Sequence, residues 1–174
     1  MDYLIKTCDE THLPEILDMF NDAIINTTSV YDYQPRTMEF MIEWYNSKLK
    51  GGYPLIGLFD NNGNLLGFGT YGSFRSRPAY KYSIEHSIYV RNEMRGRGYG
   101  KVLLKEIINQ AIHDDYHVII GGIDSDNEIS IRLHEKMGFE FAGLIKHAGY
   151  KFGKWLDLSF YQLILNTPHT PTEE

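Results

Sequence analysis

Residues 95 to 101 read Arg95-Gly96-Arg97-Gly98-Tyr99-Gly100-Lys101, ahead of a run, Val102 to Ile112, in which apolar residues recur at the helical period. Closely spaced glycines let backbone N–H groups crowd around an anion, and the start of a helix adds the positive end of its dipole. The arrangement suits a pyrophosphate. It matches neither common nucleotide loop. A dinucleotide fingerprint starting at Gly96 would need glycine where Lys101 stands. A Walker loop ending in Gly100-Lys101 would need glycine at Arg95 and a hydroxyl residue at Val102. The plainer alternative is a glycine-rich turn with solvated arginines.

Upstream of the loop, Glu85 is the one acid in the run Tyr82 to Val90. Partial burial in a strand would raise its carboxyl pKa toward values useful for taking a proton from an amine, whereas pairing with Lys81 or Arg75 would make it structural. Asn127, Ser130 and His134 fall at i, i+3 and i+7, a polar stripe on one side of a helix. Asn127 also suits an N-cap. His134 is either a proton donor or a structural histidine. Arg75, Arg77 and Lys81, with Arg36, could concentrate positive charge for a carboxylate or a tetrahedral anion, or remain solvated, and for Arg36 solvation is the expectation. Gly138 stands where a second histidine would complete a zinc motif with His134-Glu135, so no metal site is expected.

The elements that must position these groups follow from periodicity and turn chemistry. A short strand over residues 2 to 7 leads to an amphipathic helix capped by Thr11, with Leu13, Ile16, Leu17, Phe20, Ile24 and Ile25 on one face. A second helix begins near Thr37 and ends at Gly51-Gly52. Pro54 to Phe59 and Leu65 to Phe74 form a hairpin around the turn formers Asp60 to Asn64. Ser83 to Val90 is a strand, followed by the glycine loop and its helix. Val118 to Ile123 is a buried strand, Asn127 to Met137 a helix stopped by Gly138, and Phe139 to Leu144 and Leu156 to Leu165 are two further strands. This predicts an α/β chain, one domain over 1–165, with residues 166–174 as a disordered tail.

With 174 residues, 43% apolar and 23% charged, the chain has the make-up of an ordinary compact domain. A net charge of -6 argues against nucleic acid as a partner. Cys8 is the sole cysteine, which excludes an internal disulfide and a thiolate zinc site and fits a reducing cytoplasm. Neither a signal peptide nor a membrane span is legible.

Taken with the order of elements, Arg95-Gly96-Arg97-Gly98-Tyr99-Gly100 resembles the Arg/Gln-x-x-Gly-x-Gly/Ala signature of the GNAT superfamily of N-acetyltransferases. Four further blocks are similar to its phosphinothricin and methionine sulfoximine acetyltransferase branch. They are Phe74 to Tyr80, Glu85 to Val90, Leu133 to Phe139 and Lys151 to Asp157. The resemblance implies a GNAT fold, in which acetyl-CoA as co-substrate lies across a splayed mixed sheet flanked by helices. Its pantetheine would bond the main chain around Ile88, Tyr89 and Val90, and Gly96 through Lys101, with Arg95, would hold the pyrophosphate. Asn127 and Ser130 would face the coenzyme. The superfamily often carries a tyrosine at the position of His134 to protonate the leaving thiolate; histidine here leaves open whether it donates that proton or positions the sulfur. Arg75, Ser76, Arg77, Glu85, His86 and Ser87 would bind a small amino acid such as methionine sulfoximine, methionine sulfone or phosphinothricin, with Glu85 assisting deprotonation. A homodimer is also implied. Another amine, polyamine or protein N-terminus as acceptor, or a coenzyme sensor without turnover, are the alternatives.

Overall fold

A computed structural model describes residues 3–173. Seven strands form one mixed sheet in the order β1-β2-β3-β4-β5-β7-β6. They are β1 (Leu4–Thr7), β2 (Leu55–Phe59), β3 (Leu65–Ser73), β4 (Ser83–Val90), β5 (Val118–Asp124), β6 (Glu140–Lys151) and β7 (Lys154–Ile164). Four helices flank it: α1 (Leu13–Asn26), α2 (Met38–Lys50), α3 (Tyr99–His113) and α4 (Glu128–Lys136). The α/β architecture with a splayed sheet is thus as expected.

Every neighbouring pair of strands is antiparallel except β4 and β5, which run parallel and pair only through Ser83, Ile84 and Glu85 with Val118, Ile119 and Ile120. Beyond Glu85 the two strands diverge. The sheet is buried on both faces near this gap. One face packs Ile84 and Ile119 against Leu104, Ile107 and Ala111 of α3, and the other packs Phe59 and Phe68 against Ile16, Phe20 and Met41 of α1 and α2. Burying a residue of this size completely contributes about 1.5–3 kcal/mol. Three such residues of α3, Leu103, Leu104 and Ile107, therefore hold its N-terminus firmly over the gap.

Two local expectations need correction. Thr11 is not the cap of α1: Asp9 caps a 3-10 turn, Glu10–His12, that feeds directly into α1, with Pro14 in its first turn. The final hairpin is far longer than the apolar runs suggested, because β6 lies at the sheet edge with mostly exposed residues and its register shifts between Ile145 and Gly149. The segment after β7 has no regular secondary structure but makes contacts with the domain. Thr167 Oγ1 donates to Tyr116 O at 2.5 Å, Thr167 O bonds His117 Nδ1 at 2.8 Å, and Thr172 N–H donates to Tyr82 Oη at 3.0 Å. These bonds satisfy polar groups that a free tail would leave to water. Among the described residues no helix is long and apolar enough to cross a membrane.

Candidate active site

Main-chain direction in β4 alternates residue by residue. Phe74 N–H donates to Ser83 O and Arg91 N–H to Leu66 O, so the odd-numbered residues of β4 turn their backbone groups to β3. His117 and Val118 N–H donate to Tyr82 O, so the even-numbered ones turn toward β5. Past the last β4–β5 pair, Ile88 and Val90 consequently hold N–H and C=O groups out into the gap. Their side chains pack with Leu103 and Tyr99, as ordinary core residues.

The gap opens into a cleft of about 1420 Å³ that runs from Arg95, Gly96 and Lys101 to Glu85 and Asp124. Pockets for a single small ligand span roughly 300–1000 Å³, so this one has room for a coenzyme together with an acceptor. At its first end Gly96 and Gly98 have φ of 76° and 83°, left-handed values that glycine adopts without strain. Gly98 is the N-cap of α3, no side chain caps that end, and no acid occupies the first turn. The helix start therefore presents unsatisfied N–H groups and positive dipole to the cleft, with Arg95 and Lys101 beside them. The turn before it is anchored by Arg91, whose Nη2 meets Glu15 Oε2 at 2.8 Å.

At the other end, β5 carries two adjacent glycines, and each makes room for a polar group on a different face of the sheet. A Cβ at Gly121 would stand 3.1 Å from His86 Nε2 and 3.2 Å from His134 Nε2, and one at Gly122 would stand 3.0 Å from Glu85 Oε1. On the Gly121 face, His134 of α4 stacks on His86 of β4, both buried, with Nε2 to Nε2 at 3.0 Å. His134 Nδ1 lies 2.7 Å from Ser130 O. A carbonyl only accepts, so Nδ1 carries the proton, and His134 Nε2 accepts from His86 Nε2–H. Burial holds both rings neutral, pushing His86 down to about 3 and lowering His134. With both nitrogens engaged in this way, His134 has no N–H left to offer the cleft. On the Gly122 face Glu85 is half-buried and makes no hydrogen bond or ion pair with the described residues. Burial raises its pKa, while the Arg75 charge opposes the rise.

Most of the residues singled out in the sequence line this one cleft: Glu85, His86, Ser87, Ile88, Tyr89 and Val90 from β4, Arg95, Gly96, Gly98, Tyr99, Gly100 and Lys101 from the loop, and Asn127, Ser130 and His134 from α4. Asn127 is also the N-cap of α4, accepting from Ser130 N–H at 3.1 Å. Arg75, Ser76, Arg77 and Arg97 are exposed outside the lining, with Arg75 over the Phe74 ring at 4.5 Å. Arg36 is not a solvated surface charge: it lies 4.2 Å above the Phe20 ring and pairs with Asp32 at 3.0 Å. Sequence reasoning missed Tyr31, Gly121, Gly122 and Asp124. The glycine pair inside an apolar strand was a usable signal, since glycine there marks a close approach, but nothing local marked Tyr31. Among the described residues no cluster of three metal-ligating side chains occurs.

The chain is similar to known proteins over most of its length. The model of the Acetyltransferase (GNAT) family matches residues 15–139. An L-methionine sulfoximine/L-methionine sulfone acetyltransferase of Pseudomonas aeruginosa is 38% identical over 162 residues, 93% of this chain and 94% of its own. The crystal structure of an N-acetyltransferase from Staphylococcus aureus superimposes with a TM-score of 0.92 at 45% identity, covering 94% of this chain and 99% of that one. A phosphinothricin acetyltransferase from Sinorhizobium meliloti, in complex with acetyl-CoA, gives 0.94 at 31% identity over 98% of this chain and 93% of its own. Family match and relatives together span the loop, the gap and Glu85, and the chain belongs to the acetyltransferase (GNAT) family.

Proposed function

We propose that the protein transfers acetyl from acetyl-CoA to the α-amino group of a small amino acid or analogue of the methionine sulfoximine, methionine sulfone or phosphinothricin type. One observation carries this reading: a single cleft joins the anion-binding start of α3 to the Glu85 carboxylate along the open edge of β4. A pyrophosphate suits the uncapped helix start, and an extended pantetheine amide suits the main-chain groups of Ile88 and Val90. The relatives named for methionine sulfoximine and phosphinothricin support the acceptor class.

Acceptors of this kind are protonated at neutral pH and cannot attack until a proton leaves. Glu85, with a pKa raised by burial, takes that proton directly or through water. The neutral nitrogen attacks the thioester carbonyl, the C–N bond forms, the C–S bond breaks, and the thiolate leaves with a proton shed by the acylated nitrogen. His134 serves by position, since its Nδ1–H is committed to Ser130 O. A homodimer fits the exposed Phe141, Ile145 and Trp155 on the last two strands, and light scattering would test it.

The deciding experiment is coenzyme A release with a panel of amines. Methionine sulfoximine should outperform spermidine and a lysine-rich peptide in kcat/KM. A preference for either of the latter would replace the proposed acceptor, and acetyl-CoA binding without release for any amine would leave only a sensor.

A further inference from the structure

The acceptor end of the cleft contains a second carboxylate with no cation in direct contact, although the Lys154 charge lies within electrostatic reach. Asp124, the last residue of β5, is 5% exposed and lines the cleft, and its Oδ2 has no hydrogen-bond partner. Oδ1 accepts from Asp126 N–H at 3.1 Å, which fixes the carboxyl plane. Side chains two apart on a strand share a face and stand roughly 7 Å apart. Asp124 therefore lies on the face of Gly122, the face on which Glu85 Oε1 sits. Two other nearby acids are already engaged: Asp126 pairs with Lys154 at 2.8 Å, and Asp157 Oδ1 accepts from His147 N–H at 2.8 Å.

Tyr31, also in the cleft wall and within electrostatic reach of Asp124, has a buried hydroxyl that likewise has no partner. Its ring lies so close to Gly149 that a Cβ there would meet it at 2.7 Å. The segment carrying it is held by Lys151, which donates from its buried Nζ to the carbonyls of Ile24, Thr27 and Val30 at 2.7, 2.9 and 2.6 Å. A carboxylate kept out of water without a cation is costly, and the cost is offset when a charged donor arrives. Two buried oxygens without partners in the wall of the cleft that holds the proposed base suit a primary ammonium and would repel a carboxylate or phosphinate.

We propose that Asp124 and Tyr31 form the subsite that receives the acceptor's ammonium group, with Asp124 Oδ2 accepting one of its hydrogens and Tyr31 Oη a second, while Glu85 removes the proton. The inference rests on the acetyltransferase reading and adds to it the residues that select a cationic primary amine. Asp124 and Tyr31 bind and orient; Glu85 remains the proton acceptor.

Asp124→Asn, close to isosteric, and Tyr31→Phe test it in steady-state kinetics with methionine sulfoximine, and in calorimetric titration of that amine into the protein saturated with coenzyme A. Asp124→Asn should raise the acceptor KM and weaken amine binding on the order of tenfold, more than it lowers kcat, as loss of a charge-assisted hydrogen bond implies. Tyr31→Phe should do the same by about threefold. KM for acetyl-CoA, and the shape of the kcat pH profile, should stay at wild type in both, which a merely misfolded variant would not do. Unchanged amine affinity in Asp124→Asn, or an equal rise in both KM values, overturns the subsite. A wild-type protein that binds the amine without turnover overturns the acetyltransferase reading while the titrations still judge the subsite; neither binding nor turnover overturns both.

Discussion

Across the two glycines of β5 the sheet presents two opposite solutions to burying ionisable groups. On the Gly121 face, His86 and His134 are neutral, stacked and hydrogen-bonded to one another, and His134 also bonds Ser130 O. On the Gly122 face, Glu85 and Asp124 are acids without a cation in direct contact, and Asp124 Oδ2 has no partner at all. The first arrangement is paired except at His86 Nδ1, a neutral buried nitrogen with no partner. The second leaves a carboxylate oxygen without one. Perturbed titratable groups mark functional sites only with some probability, and here the difference between neutral imidazoles and carboxylates without a cation in contact separates the supporting face from the reacting one.

The contrast is tested most severely by Glu85→Gln, the variant with the largest expected effect. General base assistance is worth roughly 10²- to 10⁴-fold, so turnover should fall by that order, most of all at low pH where little free amine exists. Stability should move the other way. Glu85 has a raised folded pKa. Its stabilising contribution is present below the ordinary carboxylate range and is lost as pH rises through the raised value. The amide removes that penalty, so the melting temperature at pH 7.5 should equal or exceed wild type. A lower melting temperature with normal turnover would return Glu85 to the structural reading.

Adding one methyl group to either glycine should sharpen the contrast. Gly122→Ala presses on the Glu85 carboxylate, the mobile end of a side chain, and should lower turnover about tenfold with little change in melting temperature. Gly121→Ala presses on the packed imidazoles and should destabilise by about 1–3 kcal/mol as an overpacked core does. Matched kinetics and thermal melts on the two variants check this. Equal effects on both quantities would erase the distinction between the faces.

The smallest expected effect is the pH response of the histidine face. His86 is lowered to about 3 from the ordinary value of 6.5, so its neutral form stabilises the fold fully above pH 6.5 and that contribution is lost as pH falls toward 3. Between pH 7.5 and 5 the loss should be about 2 kcal/mol. Denaturant melts of wild type and His86→Gln should show the variant with a flatter dependence over that interval. Parallel curves would mean that His86 is not the titrating group.

Much of the cleft was legible because it is local in the chain. Positive φ at Gly96 and Gly98, the caps Thr37 and Asn127, and the polar stripe on α4 each depend on residues within a turn or two. Glu85 stood out as the one acid in an apolar strand. The exceptions are equally physical. The resemblance gives Arg75 and Arg77 to the acceptor site; β3 ends at Ser73 and the connection leaves both exposed beyond the cleft lining, while the Arg75 charge still acts on Glu85. Arg36 looked like surface, and packing put its guanidinium over Phe20.

By itself the sequence determined the alternation of helix and strand, the anion-binding loop at a helix start and the acid on the strand before it, since period, capping and turn chemistry act over a few residues. Tertiary structure alone decided which polar groups met. Glu85 reached Gly122, His86 reached His134, and Lys151 reached the carbonyls at and just beyond the end of α1 only through the β4–β5–β7–β6 register and the divergence of two parallel strands after Glu85. Those contacts join residues tens of positions apart, and a shift of one residue in any strand pairing would turn each group to the opposite face.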